Sequence, residues 1–200
     1  MAMGRPREFD VDKALDLALQ VFWRKGYEGA SMADLTETMG ITKPSLYSAF
    51  GNKEELFRKA LDRYVDGPGG YFQAALAKPT ARAVVEHLLY ESADAVTDPN
   101  HPGCLAVQGA LSCGDAAESI KQELMSRRAK GEQDLRERFE RAIAEGDLPP
   151  GSDAADLAAY LSAFLQGMAV QAAGGTTREQ LRKIAEMALR TWPPPSLASV

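Results

Sequence analysis

Cysteine and histidine are scarce: two of each stand in 200 residues. Two cysteines cannot build a disulfide framework, which points to a reducing, cytoplasmic setting. Neither His87 nor His101 has a cysteine or carboxylate at a recurring metal-ligand spacing, so no metal and no cofactor are expected. No apolar run approaches the roughly 18 residues of a membrane-crossing helix, and no membrane partner is expected. The first residues, MAMGRPREFDVDK, lack the apolar stretch of a secretory signal. Strand-like alternation is missing as well. Gly67-Pro68-Gly69-Gly70 has neither the lysine nor the preceding strand of a phosphate-cradling loop. What is present is a 45% hydrophobic, 26% charged chain, too apolar for a disordered one and long enough for a substantial core.

The net charge of −5 is unevenly placed. Residues 1–65 carry ten basic and ten acidic side chains, so the whole excess lies in residues 66–200. That distribution argues against nucleic acid touching the second part and leaves the first part open to it. Arg5 and Arg7 form a small basic arm ahead of Glu8.

Helix signals fill the chain, and the expected class is all-α with about nine helices. Asp10 caps a first helix with the apolar stripe Ala14, Leu17, Ala18, Val21 and Phe22, ending near Gly26. Ser31 with Asp34 opens a short helix stopped by Gly40. Thr42 caps a third helix through Phe50, and Asn52 with Glu55 boxes the start of a fourth. Gly67 to Gly70 breaks or bends the chain. Beyond it, helices are expected over Thr80 to about Val96, Asp115 to about Glu145, Ser152 to Ala173 and Thr177 to Thr191. The expected organisation is 8–66 as an N-terminal unit, 67–192 as a larger C-terminal unit, and 193–200 as a frayed tail.

Two short helices joined by a tight turn over residues 31–50, with a helix packed behind them, have the helix-turn-helix layout. Leu46 and Phe50 face the core with Leu35, Met39 and Ile41. Thr42, Lys43, Pro44, Ser45, Tyr47 and Ser48 are left on the other face, a set of groups suited to phosphates and base edges. Ser31 and Lys53 offer further phosphate contacts. An ordinary three-helix unit with solvated polar residues fits the periodicity equally well.

The run Gly26-Tyr-Glu-Gly-Ala-Ser31, Met39-Gly40-Ile-Thr-Lys-Pro-Ser45-Leu-Tyr47 and Phe50-Gly-Asn-Lys53-Glu-Glu-Leu56-Phe resembles the DNA-binding domain of the TetR family of transcriptional regulators. The resemblance covers roughly residues 8–66. It implies a homodimer, usually a repressor, whose C-terminal domain binds a small-molecule effector and thereby controls affinity for double-stranded DNA. It implies phosphate contacts for Tyr47 and Lys53, and it makes Arg5 and Arg7 candidates for the minor groove. Pro44 departs from the glycine that many members carry there. Two-fold symmetry implies a near-palindromic operator with half-sites roughly 34–36 Å apart.

In the second unit, the last two helices suit a dimer interface, with Leu157, Leu161, Phe164, Leu165, Leu181, Ile184 and Ala188 as its candidates; closing the monomer core is the alternative. Tyr90, Cys104, Gln108, Phe164, Met168 and Gln171 are candidate pocket residues, mixing apolar and hydrogen-bonding groups. On one straight helix Cys104 and Cys113 stand about 13.5 Å apart. A disulfide allows about 7 Å, which leaves a helix break or a bond across a dimer as routes to a redox-sensing regulator. An enzyme and a helical adaptor that no longer binds DNA are further alternatives. Cys104 has no known nucleophile signature around it, and no catalytic residue is assigned.

Overall fold

The computed structural model of the chain describes residues 9–112 and 117–193, with side chains for all of these except 110–112. Among them stand ten helices and no strand. Asp10 starts α1 (Val11–Gly29), its carboxylate accepting the N–H groups of Asp12 and Lys13 at 3.0 and 3.1 Å. Two of the four donors that a helix start leaves unpaired are thereby satisfied. Ala14, Ala18, Val21 and Phe22 are buried, as their spacing predicts, and the helical geometry breaks at Gly26, where φ is 69°.

Helix α2 (Met32–Met39) begins with a complete capping box between Ser31 and Asp34. It ends at Gly40 in the left-handed region, φ 66° and ψ 29°, a conformation that glycine adopts without a Cβ penalty. That turn redirects the chain into α3 (Lys43–Phe50), capped by Thr42. Pro44 falls in the first turn of α3, where its missing N–H has no intrahelical partner to lose. A second capping box, Asn52 with Glu55, opens α4 (Lys53–Asp66). Leu35, Leu46, Phe50, Leu56 and Phe57 close the core between these four helices, with Phe22 and Phe57 edge to face at 4.9 Å.

The chain then turns through residues 67–70 into α5 (Tyr71–Leu76) and continues through α6 (Ala81–Ala95), α7 (Leu105–Ser112), α8 (Glu118–Ala144), α9 (Ala154–Ala173) and α10 (Arg178–Arg190). Ten helices among the described residues is one more than the sequence alone suggests; the six-residue α5 starts without a side-chain cap. Asp115, expected to open the long charged helix, lies outside the described residues. Val84, Leu88, Leu89, Leu135, Phe139, Leu161 and Leu181 form a second core.

The boundary near residue 67 is one of chain direction more than of packing. Leu105, Ile120 and Leu124, from α7 and α8, belong to the N-terminal core. Arg127 of α8 also reaches Asp62 of α4 at 2.7 Å, and the rings of Trp23 and His101 meet at 4.9 Å.

Candidate functional site

Helix phase decides which side chains of α3 point outward. Leu46 and Phe50, four apart, are fully buried, so Lys43, Pro44, Tyr47 and Ser48 are turned to the surface with Thr42. Tyr47 keeps 46% of its surface exposed, an unusual position for a phenol unless something covers it. Ser45 is half-buried, its hydroxyl 2.9 Å from that of Thr42 and its N–H donating to the same oxygen at 3.3 Å. A cation, hydroxyls and an aromatic phenol therefore share one exposed surface at the start of a helix, where free N–H groups also favour phosphate.

The two outlying candidates are set differently. Ser31 is exposed, but its hydroxyl donates to Asp34 at 2.7 Å. The Lys25 ammonium at 2.6 Å, together with Ser31, holds the Asp34 carboxyl well below the usual carboxylate range. An ionised carboxylate thus stands beside Ser31. Lys53 is half-buried, with its ammonium 4.5 Å above the ring of Tyr27. Burial lowers its pKa while the charge of Glu28 pulls the other way. Tyr27 escapes sequence reasoning, since nothing local links residues 26 apart. Arg5, Arg7 and Cys113 lie outside the described residues.

A cavity of about 610 Å³ lies among helices α4 to α9, lined from the C-terminal end of α4 by Leu61, Tyr64 and Val65. Its apolar lining includes Leu61, Phe72, Val107 and Leu165. Cys104 lines it too, and its Sγ accepts the Tyr64 hydroxyl at 3.2 Å. Burial pushes the Tyr71 phenol up to about 12 and that of Tyr64 upward as well, so both are uncharged in ordinary buffers.

Of the six pocket candidates only Cys104 lines this cavity. Helix α9 presents Ser162, Leu165, Gln166 and Ala169 to it, one i, i+3, i+4, i+7 face. Phe164, Met168 and Gln171 fall out of phase: Phe164 meets Tyr160, Met168 is buried in the second core, and Gln171 accepts from Thr176. Tyr90 lies under the Arg182 guanidinium, and Gln108 is not among the lining residues.

The dimer candidates need correction on the same ground. Leu157, Leu161, Leu181 and Ala188 are buried within the protomer's own core, and Phe164 and Leu165 are half-buried against it. Of the seven, Ile184 is the exposed one. The outer surface of α9 and α10 instead carries Tyr160, Ala163, Gly167, Val170, Ile184 and Met187. Large apolar side chains beside small ones make a surface that another helix can approach closely.

Two family descriptions match the chain: "Bacterial regulatory proteins, tetR family" over residues 14–60 and "Tetracyclin repressor-like, C-terminal domain" over residues 77–188. The HTH-type transcriptional repressor ComR of Escherichia coli (strain K12) is 37% identical over 193 residues, 95% of this chain and 92% of that protein. Among solved structures, a cysteine mutant of the TetR family transcriptional regulator CifR, complexed with 26-base-pair double-strand operator DNA, is 44% identical. It covers 94% of this chain and 100% of its own, with a TM-score of 0.89. A TetR transcriptional regulator from Rhodococcus sp. RHA1 is 40% identical, covering 92% and 100%, with a TM-score of 0.61.

Proposed function

Since the chain belongs to the TetR family and is a DNA-binding transcriptional regulator, we propose that it is a homodimeric repressor released from its operator by a small molecule bound in the α4–α9 cavity. The observation that carries this reading is the double role of α4. Lys53 at its start follows α3 by three residues, while Leu61, Tyr64 and Val65 near its end line the cavity. Fourteen residues of helix span about 20 Å, so one rigid element joins the two places.

Binding works through differential affinity for two arrangements. A ligand that pushes Tyr64 and Val65 outward tilts α4 and with it the α3 surface. Two such surfaces, related by the dimer axis, then no longer match half-sites roughly 34–36 Å apart. The exposed apolar surface of α9 and α10 is the proposed dimer contact. Arg5 and Arg7 are proposed as minor-groove contacts, with Lys43, Tyr47 and Lys53 on the phosphates. Thr42, Pro44, Ser45 and Ser48 are the groups nearest the base edges, and Ser31 is a weaker phosphate candidate because of Asp34. The family is one of regulators, and no catalytic role is proposed. Among the described residues no helix is long and apolar enough to cross a membrane.

The test is a displacement titration. Full-length protein on labelled operator DNA is challenged with candidate effectors, and those that release it are then titrated calorimetrically into free wild-type protein and Ser162→Phe. Ser162 lines the cavity and is nearly buried, so a phenyl ring there fills the space. An effector that binds the wild type and not the filled variant supports the reading. One that binds both equally contradicts it.

A further inference from the structure

Resting on the cavity's role as effector site, we propose that the effector is an amphipathic carboxylate, its carboxylate held by Arg128 and its apolar body by the α4–α9 walls. Three of the protein's other guanidinium groups show what Arg128 lacks; Arg138 also leaves its Nε without an acceptor, but it does not line the cavity. Arg63 grips Asp16 with Nε and Nη2 at 2.7 and 3.0 Å. Arg182 grips Asp94 through the same two atoms. Arg127 divides that edge between Glu123 and Asp62, both at 2.7 Å.

Arg128, the next residue, lines the cavity and makes one contact, Nη1 to the Gln166 side chain at 3.3 Å. It forms no ion pair among the described residues, and its Nε is closed off from water without an acceptor. The Nε that binds a carboxylate in those three arginines is therefore without an acceptor in a residue that lines the cavity. A shielded Nε–H without an acceptor is unfavourable, and a carboxylate supplies one in the geometry the fork prefers.

Of the acidic side chains on the cavity wall, two are already paired, and Glu132, four residues from Arg128, forms no ion pair with it. Glu123 is held by Arg127 and Asp134 by Lys130, while Glu132 is exposed to solvent. Lining charges of the two signs balance in number, so the attraction is local to Arg128 and is not a field of the whole cavity. Tyr64 and Tyr71 are neutral and add no negative charge. The walls away from α8 are largely apolar, and about 610 Å³ accommodates a compact organic body rather than an inorganic anion alone.

The experiment is calorimetric titration of full-length protein with two matched pairs, octanoate against 1-octanol and 4-phenylbutyrate against 4-phenylbutan-1-ol. In the wild type each acid binds roughly ten- to a hundredfold tighter than its alcohol, the ratio expected of a charge-assisted contact. Arg128→Met removes that preference and leaves the alcohols' affinity unchanged. Its melting temperature changes little, since the one partner lost is the 3.3 Å hydrogen bond to Gln166. Arg128→Lys retains part of the preference. Equal binding of acid and alcohol, survival of the preference in Arg128→Met, or binding of neither compound overturns the carboxylate assignment. Acid binding that persists undiminished in Ser162→Phe puts the site elsewhere, and the cavity reading then fails with it.

Discussion

Replacing Met187 by alanine separates a dimer contact from a core contact on the same pair of helices. Met187 on α10 keeps 67% of its surface exposed, whereas Leu161 on α9 keeps 1%. Fully burying a methionine side chain is worth about 1.5–3 kcal/mol, so covering two-thirds of one is worth about 1–2 kcal/mol per protomer. A two-fold interface uses each residue twice, which doubles this to about 2–4 kcal/mol per dimer. At about 1.4 kcal/mol per decade, dimer dissociation strengthens roughly thirty- to several-hundred-fold. The lower end is expected, because alanine keeps one methyl group. Sedimentation equilibrium across a dilution series reads this directly, and thermal unfolding of the same variant should change little. Leu161→Ala should behave oppositely: about 2–5 kcal/mol of fold stability lost to a cavity, with the self-association of folded protein unchanged. A Met187→Ala dimer as tight as the wild type, or a Leu161→Ala variant that folds well and dissociates, refutes the assignment of these faces.

Lys43→Ala should weaken DNA binding on every sequence and lower the slope of log affinity against log salt by about 0.9 per protomer, read by fluorescence anisotropy. Ser31→Ala should cost about 1 kcal/mol of stability in chemical unfolding by opening the α2 capping box. It should also raise the Asp34 pKa toward its ordinary value, because a hydrogen bond that favours the carboxylate is removed. Asp94 has its pKa lowered by the hydrogen bond and charge of Arg182. Its contribution is therefore present above the ordinary carboxylate range and is lost as pH falls through the lowered folded value. Asp94→Asn should lower stability by about 0.5–1 kcal/mol at pH 7 and by progressively less in acid, as melts over a pH series will show.

The N-terminal helices are legible because their signals are local. Ser31 with Asp34 and Asn52 with Glu55 are three apart, and their capping boxes form as spaced. Gly40 stands where a left-handed turn is required, and the i, i+4 pair Leu46 and Phe50 fixes the outward face of α3. Lys53 is legible as a position and not as an environment, because the Tyr27 ring that shields it comes from another helix. The regulatory half defeats the same method for a physical reason. Apolar or small residues occur all round α9, so no phase singles out core, cavity or partner; Leu161, Leu165 and Tyr160 face three different surroundings. The cavity is assembled from six helices, and contacts such as Tyr64 with Cys104, 40 residues apart, leave no trace in local spacing. Met187 stands among Ile184, Ala185, Ala188 and Leu189, so spacing alone does not separate it from the core stripe; the protomer's packing leaves it out.

The central claim is that two copies of the α3 surface read one operator. Selection of bound duplexes from a random DNA pool, with full-length protein at two salt concentrations, tests it most directly. Enrichment of a near-palindrome whose half-site centres lie roughly one helical turn apart, stronger at the lower salt, is the predicted result. Recovery of unenriched sequence at both salts would contradict it.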